Sequence, residues 1–229
     1  MTTNTDTPHT DTTHRASGSL FGLAFGDALG AATEFLSVDQ ILRRFPPHGP
    51  LEPTGHPARV TDDTQMTLAV GEALLEAEGR DKSGTLSGGQ VSYTATTLER
   101  PLRRAFVAWS NSPENNRAPG MTCMRACAGL ERNLPWYEAT VSRSKGCGAN
   151  MRVAPVGLLP LENKGLTETT RAAIAQFQAA LTHGHPTALA AADITAATIA
   201  DLKAGGDPAG LPSRLRTYAE NQRTVYHAD

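Results

Sequence analysis

Apolar residues recur along most of the chain at three- and four-residue spacing, the period of a helix face rather than of a strand. Leu20, Leu23, Ala24, Ala28 and Ala31 predict a helix beginning near Ala16. Residues 37–44 predict a short helix, with Ser37 as its cap and Arg43 and Arg44 in its last turn. Phe45-Pro46-Pro47-His48-Gly49-Pro50 opens a loop that delivers the chain to Thr61, where a helix to about Glu78 carries Leu68, Ala69, Val70, Ala73, Leu74 and Leu75. Leu98, Leu102, Ala105, Phe106 and Trp109 share one face of a helix over 98–109, and Cys123, Ala126, Cys127 and Leu130 form the stripe of another over 122–132. A helix over 167–181 has Thr167 or Thr169 as its cap. The next, to about Lys203, has Pro186 in its first turn and is nearly all Ala, Ile and Thr, which suits a central, closely packed position. A polar helix over 213–226 comes last. Residues 1–15 lack periodicity and are expected to form a disordered tail, and residues 79–97 a long surface loop. No segment alternates convincingly as a strand does. The expected fold is all-α, one helical domain over residues 16–229.

Composition narrows the setting. The net charge of -2 argues against a sequence-independent nucleic-acid binder or a membrane-surface protein. No stretch approaches the roughly 18 apolar residues of a membrane span. The three cysteines include no C-x-x-C pair, so zinc-knuckle and dithiol chemistry is unsupported and a reducing, cytoplasmic setting is expected.

Three stretches carry candidate chemistry. In Thr61-Asp62-Asp63-Thr64-Gln65-Met66-Thr67, adjacent carboxylates lie between hydroxyls, the hard oxygens that Mg²⁺ and Mn²⁺ prefer. The plainer alternative is a helix start capped by Thr61 or Asp62. Upstream, Gly22, Gly26 and Gly30 fall on one helix face, each costing about 1 kcal/mol relative to Ala, which points to close approach of a helix or a ligand. Asp27 lies on this helix, and Glu34 two turns further on the same side; either Glu34 is a surface carboxylate or it stands beside a carboxylate-rich site. In Ser144-Lys145-Gly146-Cys147-Gly148-Ala149-Asn150-Met151-Arg152, glycines flank Cys147, and such a turn is either an ordinary glycine turn or a nest of N–H groups suited to phosphate. His9 and His14 read as part of a solvated tail.

Taken together, Gly22 to Gly30 with Glu34, Thr61 to Thr64, Lys145 to Arg152 with Pro155, and Thr182-His183-Gly184-His185-Pro186 resemble, in this order, the ADP-ribosylglycohydrolase family over about residues 16–205. The resemblance implies an orthogonal multi-helix fold around two Mg²⁺ or Mn²⁺ ions. It implies hydrolysis of the glycosidic bond between ADP-ribose and a protein side chain or small acceptor. By position it makes Thr61, Asp62, Asp63 and Glu34 metal ligands, with Glu34, Asp62 and Asp63 also catalytic. Asp27, Gly146, Cys147, Gly148, Asn150, Met151 and His183 would bind substrate. The family's second acidic motif, Asp-x-Asp followed by Thr or Ser, has no counterpart here. The chain is therefore expected to be a C-terminally truncated form with at most a partial metal site. The alternative is a non-catalytic ADP-ribose-binding or interaction protein. A helical metal phosphohydrolase would need His-Asp pairs, and none occurs. The expected partner is an ADP-ribosylated protein or small ADP-ribosyl conjugate. Self-association is expected if a missing C-terminal portion uncovers the Ala-rich helix over 187–203.

Overall fold

The computed structural model describes residues 8–79, 93–160 and 167–226, and they form an all-α architecture. The ten α-helices among them are α1 (Pro8–Gly30), α2 (Val38–Arg44), α3 (Asp62–Ala77), α4 (Ala95–Ser110), α5 (Met121–Glu131), α6 (Trp136–Ala139), α7 (Ala154–Leu158), α8 (Glu168–Ala180), α9 (Pro186–Lys203) and α10 (Leu211–Tyr226). Short 3₁₀ turns occur at Cys147–Ala149 and Pro208–Gly210. No described helix is long and apolar enough to cross a membrane.

Local chemistry sets several helix starts. Ser37 caps α2 in a reciprocal box with Gln40, and Thr167 rather than Thr169 caps α8 by accepting from the Thr170 amide. Thr94 and Thr97 form the same kind of box, so α4 begins at Ala95, inside the stretch expected to be loop. The rest of that expected loop, residues 80–92, lies outside the described residues. The expected tail is also shorter than fifteen residues. Helix α1 runs from Pro8, whose missing N–H costs nothing in a first turn. Asp11 complements the positive end of the helix and pairs with Arg15 one turn on. Residues 1–7 lie outside the described residues.

The core joins Met66, Val70 and Leu74 of α3, Leu98, Leu102 and Phe106 of α4, Cys123, Cys127 and Leu130 of α5, and Ile174 and Ala175 of α8. Helix α9 is central as its composition predicts. It packs on α1, α7, α8 and α10, and buries Ala188, Ala192, Ala196 and Ala197. It is not the uncovered face that the expectation of self-association rests on. The exposed apolar residues Leu20, Phe21 and Phe25 lie on α1, and Leu68 and Leu75 on α3. The α7–α9 contact requires a glycine: a Cβ on Gly157 would stand 2.6 Å from Ile199 Cβ and 2.7 Å from the Ala196 carbonyl oxygen. Helices α6 and α7, of four and five residues, are too short for periodicity to announce them.

Candidate active site

The first carboxylate of the site acts on a helix 34 residues away. Asp27, on α1, accepts from the Thr61 amide at 2.8 Å, the Thr61 hydroxyl at 2.6 Å, the Thr64 amide at 3.1 Å and the Thr64 hydroxyl at 2.6 Å. These groups open α3, whose first N–H groups lack partners within the helix. Thr61 occupies the cap position but makes no capping bond of its own, because the Thr64 amide that would donate to it donates to Asp27 instead. The expected local cap is thus replaced by a carboxylate from another helix, which also satisfies the positive end of the α3 dipole.

Asp62 is buried and accepts the Gly120 N–H at 2.9 Å, tying α3 to the start of α5. Asp63 is half-buried, with one carboxylate oxygen 3.4 Å from the Thr61 hydroxyl. Glu34 follows the end of α1 and is exposed. Burial raises the pKa of Asp62, although the Gly120 amide counteracts it. Asp63 is raised by burial and then by Asp62 and Asp27. Glu34 is raised by partial burial and then by the charges of Asp62, Asp63 and Asp27. Four carboxylates therefore share one field, in which Glu34, Asp62 and Asp63 are each harder to ionise than alone.

Glu34, Asp63, Asp27, Thr61 and Cys147 line one cleft of about 520 Å³, together with Gly22, Gly26 and Gly30. A Cβ on any of these three glycines would meet nothing within 4 Å, so the stripe faces the cleft and not a packed helix. Among the described residues, no packed neighbour requires glycine at these positions. Within the described residues, no three His, Cys, Asp or Glu side chains gather as a ready metal shell. The oxygens of Thr61, Asp62 and Asp63 could furnish part of one, with water completing it.

The glycine-flanked turn reaches the cleft from the far side of the sequence. Its path is fixed by a bridge between Val141 and His183: the Val141 amide donates to the Thr182 carbonyl at 3.0 Å and the Gly184 amide to the Val141 carbonyl at 3.1 Å. Cys147 is exposed at the cleft. The Asn150 amide donates to the Cys147 carbonyl at 2.7 Å, while its side-chain Oδ1 is buried without a partner among the described residues. Met151 leans on the core, and its carbonyl accepts the Thr67 hydroxyl at 3.2 Å. His183 is buried beneath the turn, and a Cβ on Gly148 would stand 3.0 Å from both its Cε1 and the Cys123 sulfur. Burial, with the Arg152 charge second, pushes the His183 pKa down to about 4. His183 thus supports the turn from below, and Gly148 is the residue type that leaves room for the ring.

Sequence reasoning singles out the turn but not what holds it. Arg152 is fully buried and donates to the Gly148 carbonyl, the Gln178 side chain and carbonyl, and the Thr182 hydroxyl. Arg152 ends the stretch that carries the family resemblance, but its burial is not announced there, since a lone Arg is ordinarily a surface residue.

The described residues thus join an all-α fold to a carboxylate-lined cleft that Cys147 of the glycine turn also borders. The chain belongs to the ADP-ribosylglycohydrolase family, whose model matches residues 8–228. It is similar to the ADP-ribosyl-(dinitrogen reductase) glycohydrolase of Rhodospirillum rubrum, at 32% identity over 179 residues, 75% of this chain and 52% of that protein. An uncharacterised protein of Archaeoglobus fulgidus is 30% identical over 79% of this chain and 53% of its own length. An ADP-ribosylarginine hydrolase of Serratia proteamaculans is 28% identical over 80% of this chain and 46% of its own. The chain spans about half the length of these curated relatives.

Proposed function

We propose that the protein is a metal-dependent hydrolase of ADP-ribosyl conjugates, cleaving the glycosidic bond between ADP-ribose and a protein side chain or small acceptor. The observation that carries this reading is the cleft itself. Its lining joins an open glycine stripe, the carboxylates of Asp27, Glu34 and Asp63, and Cys147 of the exposed glycine-flanked turn. Two relatives named as ADP-ribosyl hydrolases support the substrate class.

Thr61, Asp62, Asp63 and Glu34 would hold Mg²⁺ or Mn²⁺, which would supply charge neutralisation and a bound water of lowered pKa. Glu34 and Asp63 border the cleft. As carboxylates they stabilise the oxocarbenium-like character of a breaking glycosidic bond, and their raised pKa suits them to take up a proton from water. Asp27 holds Thr61 and Thr64 in register, and the Gly146–Gly148 turn receives the diphosphate. Three free thiols accord with a reducing, cytoplasmic setting.

The test is release of ADP-ribose from a mono-ADP-ribosylated protein by the purified chain with Mg²⁺ or Mn²⁺. Turnover that is lost in Asp62→Ala and Asp63→Ala supports the proposal. Tight ADP-ribose binding without turnover under any metal supports instead a non-catalytic ADP-ribose-binding protein. One observation favours that second reading: Asp27 and one oxygen of Asp62 are already engaged by protein donors.

A further inference from the structure

Arg152 is a buried cation with no carboxylate among its described partners. Its Nε donates to Gln178 Oε1 at 2.8 Å. Nη2 donates to the Gln178 carbonyl and to Thr182 Oγ1, both at 2.7 Å. Nη1 donates to the Gly148 carbonyl at 3.0 Å and lies 3.6 Å from the sulfurs of Met66 and Cys123. Its guanidinium stacks 4.4 Å over the Phe106 ring. Neutral dipoles and an aromatic face thus replace the anion that usually compensates a buried charge.

The consequence lies in the next bond. Thr182 Oγ1 already accepts from Arg152, and its single O–H has two acceptors in reach, His183 Nδ1 at 2.8 Å and the Ala179 carbonyl at 3.4 Å. The shorter contact is the stronger bond, and we assign the proton to it. His183 Nδ1 is then an acceptor and the ring hydrogen sits on Nε2, the atom that faces the turn: a Cβ on Gly146 or on Gly148 would lie 3.3 Å from it. The charged groups and thiols facing this ring are Arg152 and, across Gly148, Cys123. A protonated ring would place a second positive charge beside the guanidinium and push the Thr182 O–H from Nδ1 to the longer Ala179 contact.

We infer that Arg152 is a positioning residue that acts through Thr182, locking His183 as the neutral Nε2–H tautomer under the Gly146–Gly148 turn while turning the Gly148 carbonyl inward. This deepens the functional reading above, on which its link to ADP-ribose binding rests, but the tautomer is measurable without any ligand.

The experiment is long-range ¹H–¹⁵N correlation of the imidazole rings in the labelled full chain, with His183 assigned by its loss in His183→Gln. The wild type is expected to show the Nε2–H pattern at neutral pH. Thr182→Val, which keeps the shape and removes only the hydroxyl, is expected to give mixed tautomers. Thr182→Ser is expected to restore the wild-type pattern, and Arg152→Gln to let the ring protonate at higher pH. A wild-type Nδ1–H tautomer, or an unchanged pattern in Thr182→Val, overturns the inference; Thr182→Val decides the matter even if Arg152→Gln does not fold. Calorimetry with ADP-ribose separates the two readings. About tenfold weaker binding in Thr182→Val, the scale of one charge-assisted bond, supports the coupling. Absence of binding in the wild type overturns the functional reading and leaves the tautomer result standing.

Discussion

Replacing Asp27 tests whether a carboxylate from α1 builds the start of α3. Its two oxygens accept four hydrogen bonds, from the amides and hydroxyls of Thr61 and Thr64. An N-cap is worth about 1 kcal/mol, and up to about 2 in a favourable setting. A carboxylate at the positive end of a helix dipole adds about 0.3–1 kcal/mol. The remaining hydroxyl bonds to a charged acceptor add somewhat more, although such contributions are not additive. Asp27→Ala is therefore expected to cost about 2–4 kcal/mol. Against this, removing one of four clustered carboxylates relieves repulsion at Asp62, Asp63 and Glu34, which pulls the expectation to the lower half of that range. Asp27→Asn keeps one acceptor oxygen and loses the charge, for an expected cost of about 1 kcal/mol. For a chain of this size each kcal/mol moves Tm by about 2–4 °C, so thermal unfolding followed by circular dichroism should separate wild type, Asn and Ala in that order. A companion titration should find Asp63 ionising at lower pH in Asp27→Asn. The reasoning is refuted if both variants melt within about a degree of the wild type, since the four bonds would then be worth no more than bonds to water.

Further outcomes follow from the same site. Gly26→Ala should raise stability by about 0.5–1 kcal/mol, because its Cβ meets nothing, while weakening capture of any ligand in the cleft; equal ligand affinity would show that the stripe does not face the ligand. Gly148→Ala should cost about 1–3 kcal/mol through its contacts with His183 and Cys123, read as a lower midpoint in urea. Mn²⁺ at about 100 times its Kd should add about 2.7 kcal/mol to stability and should add nothing in Asp63→Ala; calorimetry supplies the Kd. His183 takes up its proton in the unfolded chain near 6.5 but in the folded protein only near about 4. Its contribution is therefore complete above pH 6.5 and is lost as pH falls toward 4, by up to about 3 kcal/mol. His183→Gln should flatten the stability profile in that window, and an unaltered slope would assign it to other groups.

Much of the helical framework is legible along the chain. Ser37 and Thr167 announce their helices because a cap bonds within three residues of itself. Cys123 and Cys127 are the core residues their spacing predicts. Apolar periodicity places the start of α1 too late, because Pro8, Asp11 and Arg15 carry helix-start chemistry without an apolar stripe. It places the start of α4 too late as well, because Thr94 and Thr97 sit in a Ser- and Thr-rich run that reads as loop.

By itself, the sequence determined the all-α class, the capped entry into several of the longer helices, the small-sided centre of α9 and the carboxylates of the Thr61–Thr64 stretch. Each depends on interactions within about four residues, or on a period repeated many times. The tertiary structure decided what those carboxylates do. Asp27 became the cap of α3, Gly22, Gly26 and Gly30 opened onto a cleft, and Arg152 disappeared beneath the turn it orients. Those outcomes depend on single contacts between residues 26 to 37 positions apart, such as Asp27 with Thr64 and Arg152 with Gln178. No local pattern encodes such pairs, and only the packing of α1 on α3 and of the turn on α8 brings them together.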